Sequence, residues 1–176
     1  MIGLIVACEI GFWVFLLAGL ATRYLLRRRR AGAILLIGAP VLDVVLLAAA
    51  AIDLRRGGEA SLAHGLAAIY LAVTVVSGHS LMRWADVRFA HRFAGGPAPV
   101  RPPRAGRAHA AHERRQWLLH LLTYVVAGAL LLVFTPLAGG FQAAAPLWQV
   151  MVPWTIVLVV DLVISFSYTF APRAER

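Results

Sequence analysis

Long apolar runs, broken by short clusters of arginine, glycine and proline, set the pattern of this chain. A helix needs roughly twenty mostly apolar residues to cross a bilayer. Five segments meet that length: about 2–26, 33–54, 61–82, 117–138 and 147–170. They are separated by "RRRR" (27–30), "DLRRGGEAS" (53–61), the basic stretch 83–116 and "PLAGGFQAAAP" (136–146). The run "AILLIGAPVLDVVLLAAAA" leaves no polar face for water, which a soluble surface helix requires. The pattern predicts an all-α, polytopic helix bundle with five transmembrane helices in a single membrane domain, 1–176.

The third connection divides in two. Residues 80–93, "SLMRWADVRFAHRF", can continue the third helix, with Met82, Ala85, Phe89 and Phe93 on one face and Arg88, His91 and Arg92 on another. That is the pattern of a helix lying at headgroup level. Residues 95–108, with four prolines and three glycines, predict an extended, solvated linker. A helix is expected to restart over 109–117 and run into the fourth span.

Composition agrees. Of 176 residues, 61% are hydrophobic and 14% charged, and a soluble domain carries about a quarter charged residues. The formal charge is +9, and all 17 basic residues are arginines. In a soluble protein that charge would suggest nucleic acid. Here the arginines flank apolar runs, so no nucleic-acid partner is expected, and the acidic headgroups of membrane lipids are. Fifteen of the arginines fall on one side of the predicted membrane, and only Arg55 and Arg56 on the other. By the positive-inside rule the amino terminus is outside and the carboxyl terminus cytoplasmic, in a multi-pass membrane protein. Arg83, Arg88 and Arg92 are the expected headgroup contacts. Cys8 is the single cysteine, so no internal disulfide can form. "IVAC" has the small residues of a lipoprotein box, but too little precedes it for a signal peptide, and the first span is expected to stay in place.

Polar residues inside the spans carry the candidate chemistry. At about 1.5 Å rise per residue, Glu9 and His64 lie roughly 25 Å from the cytoplasmic boundary, and Asp43 and Asp161 both lie near 15 Å, the midplane. A carboxylate at that depth costs on the order of 3 kcal/mol and turns inward, towards a partner or a wet cavity. In the fifth span Trp154, Leu158, Asp161, Ser165 and Tyr168 share one stripe, with Pro153 opening the backbone above. In the second, Pro40 stands one turn before Asp43. In the first, Glu9 shares a face with Trp13. If Asp43 and Asp161 met, like charge in a low dielectric would leave one proton on the pair. His79 and His120 also share a depth and could ligate haem or a metal. However, no CxxCH or HExxH motif, no second histidine pair and no zinc spacing accompanies them, so no cofactor is expected. His91, His109 and His112 are expected to meet water. No Gly-rich phosphate loop and no Ser–His–Asp pattern stands out.

"CEIGFWVFLLAGLATRY", "GHSLMRWADVRFAHRFAGGP" and "VDLVISFSYTFAP" together resemble the YmcC-like family of small bacterial membrane proteins, nearly end to end. The resemblance implies a cytoplasmic-membrane protein with several spans and transfers no catalytic residue. The first-helix glutamate followed by an aromatic is also similar to the small multidrug transporters, which have four spans. Three functional classes fit these features. One is proton- or cation-coupled transport, with Glu9, Asp43 and Asp161 as exchanging carboxylates and Trp13, Tyr70 and Trp154 lining the path, joined by His64, Ser165 and Tyr168 as polar lining. Another is an intramembrane enzyme in which Asp43 or Asp161 is general acid on a prenyl or lipid chain. The third is a non-catalytic scaffold using the 80–93 face and the linker. A homodimer or a partner membrane protein fits any of them.

Overall fold

The computed structural model describes residues 2–100, 102, 103 and 105–170; the side chains of Ile2, Leu4, Ile5, Glu9 and Phe170 lie outside the described residues. Six helices occur in the order α1 (Ile2–Tyr24), α2 (Arg29–Arg55), α3 (Leu62–Phe93), α4 (Gly106–Leu137), α5 (Ala145–Trp148) and α6 (Met151–Phe170), with no strand among the described residues. Five helical stretches are long and apolar enough to cross a membrane, α5 and α6 together making the fifth.

Two features extend beyond the apolar runs. α3 does not stop near residue 82 but runs unbroken to Phe93, and α4 starts at Gly106, inside the segment expected to be extended linker. At 32 residues each, both are about 48 Å long and exceed the roughly 30 Å of hydrocarbon. Residues 80–93 do not lie flat as a separate surface helix. Ala85 and Phe89 pack on a buried cluster of Leu16, Leu20 and Leu36, so α1 and α2 cover the middle of the apolar face expected to meet lipid headgroups, while Phe93 at its end stays exposed.

Lipid removes most of the hydrophobic drive between helices, so close packing through small residues has to hold them. α1 and α2 form an antiparallel hairpin of this kind. A Cβ on Gly32 would lie 2.7 Å from the Gly19 carbonyl oxygen and 2.7 Å from the Arg23 Cβ, and one on Gly38 would meet the Phe15 ring at 2.6 Å. α3 is central: it packs on α2, α4, α5 and, less extensively, α1. An alanine-rich cluster fills this region, with Ala50, Ala67, Ala68, Ala72 and Ala127 buried around Leu46, Leu131 and Leu147. α5 presses its Leu147 carbonyl to within 2.6 Å of where a Cβ on Gly65 would stand. α6 packs chiefly along α4.

Pro40 sits within a continuous α2. Pro153 does not open the backbone in mid-span: it falls in the first turn of α6, where helix N–H groups have no intrahelical acceptor to lose. The interruption in the fifth span lies at Gln149 and Val150 instead, between α5 and α6.

Candidate functional site

α1, α2 and α3 line a partly open cavity of about 220 Å³. Cys8, Phe12 and Trp13 line it from α1, Pro40 and Asp43 from α2, and Tyr70 and Thr74 from α3. It lies between the two apolar clusters, since Cys8 and Leu46 belong to one and Leu16 to the other. Asp43 is buried, and the Thr74 hydroxyl donates to its Oδ2. Thr74 was not among the residues expected from the sequence. Tyr70, Thr74 and Gly78 stand four residues apart along α3, one helical face, and all three line the cavity. Among the described residues the wall is therefore mostly apolar and aromatic, with one carboxyl group. Of the expected site residues, Trp13, Asp43 and Tyr70 are brought together here. Glu9 is on α1 between residues that line the cavity, but its side chain lies outside the described residues.

Asp161 is elsewhere. Its Oδ2 is 2.6 Å from His120 Nδ1, across the α4–α6 contact. From Leu158 to Tyr168 the polar stripe of α6 faces α4. Trp117 Nε1 donates to the Leu158 carbonyl at 3.2 Å, and the Ser165 hydroxyl to the Glu113 carbonyl at 3.3 Å. Tyr124 and Thr155 pair at 2.9 Å through their hydroxyls, and the Tyr168 ring lies 4.7 Å from His109. Ser165 is buried, whereas His120 is half exposed. Trp154 packs on the alanine-rich cluster, away from the α1–α3 cavity. Asp43 and Asp161 thus occupy different helix contacts with different partners, and the shared-proton pair does not form.

His79 and His120 do not face each other: His79 Nε2 pairs with the Arg83 guanidinium at 2.7 Å and His120 pairs with Asp161. His64 is 1% exposed and joins α2 to α3. Its Nε2 lies 2.9 Å from Asp53 Oδ2, and its Nδ1 lies 2.8 Å from the Ser61 hydroxyl. A serine, a histidine and an aspartate do meet here, with the ring nitrogens in the opposite roles from a serine-hydrolase triad. They tie the end of α2 to the first turn of α3. Of the arginines expected at headgroups, Arg83 is held by His79 and Arg88 stacks over the Trp84 ring at 3.9 Å.

Five apolar spans, three of which line a cavity that holds a buried carboxyl group, define a multi-pass helical membrane protein. The chain is 36% identical over 174 residues to "Uncharacterized membrane protein YmcC" of Bacillus subtilis (strain 168), covering 98% of this chain and 93% of that one. It belongs to the YmcC-like family of membrane proteins. No family model matches the chain, and no solved structure matches it.

Proposed function

We propose that this is a proton- or cation-coupled, transport-like protein of the bacterial cytoplasmic membrane, in which Asp43 exchanges a proton for a small lipophilic cation in the α1–α3 cavity. The observation that carries this reading is the buried carboxyl group of Asp43, the one carboxyl among the described residues of the cavity wall, beside Phe12, Trp13 and Tyr70. A quaternary or protonated amine gains there from charge and from the faces of aromatic rings, and both interactions are stronger away from water. A neutral molecule of the same shape gains neither.

Benzyltrimethylammonium and its uncharged isostere, neopentylbenzene, separate these terms. Purified protein in weak buffer should bind the cation with release of about one proton, and Asp43→Asn should bind it at least tenfold more weakly without proton release. Cys8 supplies a second readout, because it lines the same cavity. Bound cation should slow its alkylation by N-ethylmaleimide in the wild-type protein only. Equal protection of Cys8 by neopentylbenzene, or undiminished cation binding in Asp43→Asn, would overturn the reading.

A further inference from the structure

A second cavity, of about 640 Å³, opens at the turn between α1 and α2, lined by Arg23, Tyr24, Leu25, Arg27, Arg29 and Phe93. None of its residues lines the Asp43 cavity. The turn spends its backbone on the end of α1: Leu25 and Leu26 N–H groups donate to the Ala21 carbonyl and Arg28 N–H to the Thr22 carbonyl. α2 then begins at Arg29 without a side-chain cap from Arg28. The uncapped first turn presents N–H groups and the positive end of a 27-residue helix dipole. Three guanidinium groups line the same space, and one ion pair tempers them, Arg23 with Asp86 at 3.6 Å. Arg27 holds φ +56°, a left-handed conformation that glycine adopts freely and arginine does not. The chain thus places a long cation where a turn on its own would favour glycine.

Such a cluster calls for an anion with several oxygens, and guanidinium groups with helix N–H donors suit a phosphate. The neighbouring surface says what the phosphate is attached to. Leu25 and Phe93, 58% and 53% exposed, share the wall with the arginines, and Leu26, the next residue of the turn, is 66% exposed. A free anion gains nothing from these side chains. A phospholipid would set its glycerol and upper acyl carbons against them, at the end of two spanning helices where headgroups lie. We propose that this cavity binds the phosphate of an anionic phospholipid, held by Arg27 and Arg29, with Leu25 and Phe93 against its acyl region. Arg23, anchored by Asp86, orients the wall.

Delipidated protein mixed with equal amounts of phosphatidylglycerol and phosphatidylcholine of the same chains, read by native mass spectrometry, tests this. The wild-type protein should retain one phosphatidylglycerol in preference to phosphatidylcholine. Arg27→Gly with Arg29→Gln should reduce that retention about fivefold for each arginine removed. Arg27→Gly relieves the left-handed residue, so lipid-free thermal stability should not fall, and a loss of binding cannot be read as a loss of fold. Arg55→Gln with Arg56→Gln, at the far end of α2, removes the same charge and should leave retention unchanged. The proposal is overturned if phosphatidylcholine is held equally, if both double variants behave alike, or if inorganic phosphate alone raises the unfolding temperature as much as the lipid does. That last result would assign the site to a water-soluble anion.

Discussion

Asp43 is expensive where it stands. Near the middle of a spanning helix, a carboxyl group is unfavourable by on the order of 3 kcal/mol, and a hydrogen bond between membrane helices returns roughly 1 kcal/mol. The Thr74 hydroxyl therefore does not balance the acid, and packing alone gives no reason to keep it. The helix contact could be made by an apolar pair. Asp43→Leu should accordingly resist SDS-induced unfolding better than the wild-type protein, by about 1–2 kcal/mol, while losing cation binding. A purely structural acid would show the reverse, lower unfolding resistance with no change in binding. His64 is a contrasting case, because both ring nitrogens are occupied by Asp53 and Ser61 and nothing in that cluster opens onto the cavity. Its polarity is used up in joining two helix ends.

Consecutive helices in this chain pair as antiparallel hairpins, and that rule decides which polar residues meet. In a hairpin, residues equally far from the connecting turn stand side by side. Asp43 and Thr74 are so placed about the α2–α3 turn, as are Asp53 and His64. His120 and Asp161, and Tyr124 and Thr155, are similarly disposed about the connection between α4 and α6. Apolar length and arginine clusters made the spans legible in the sequence, and the amphipathic pattern of 80–93 carried the extension of α3. Depth made Asp43 and Asp161 look like partners, because depth reports position along the membrane normal and not which helices are neighbours. The stripe on α6 was legible, but the helix it faces was not. Thr74 escaped notice because one hydroxyl among apolar residues has no signal until its mirror position across the turn is occupied by an acid. The two acids should then be independent: Asp161→Asn is expected to leave cation affinity at the α1–α3 cavity within about twofold, the additivity of separated sites. A tenfold loss in the same titration would mean that the α4–α6 contact is coupled to the cavity.

At the scale of the whole molecule, the elements assign the two ends different characters. The turn before α2 and the segment between α3 and α4 lie at one end, because each spanning helix reverses direction. That end holds Arg23 and Arg27–Arg30, the arginines of α3 and α4, and the basic cavity. The opposite end carries Arg55 and Arg56 and the His64 cluster. Arginine beside a span is retained on the cytoplasmic side, and on this asymmetry we propose an orientation with the amino terminus outside. That orientation would bring the proposed phosphate site to the cytoplasmic leaflet, where anionic lipid and its surface potential add to the attraction. Cys8 is the single cysteine, which makes the orientation directly measurable in a Cys8→Ser background. Glu59→Cys, in the connection between α2 and α3, should react with a membrane-impermeant maleimide on intact cells. Val100→Cys, fully exposed between α3 and α4, should react only after the membrane is permeabilised. The reversed pattern would invert the protein, moving the basic cavity to the outer leaflet and the mouth of any transport path with it.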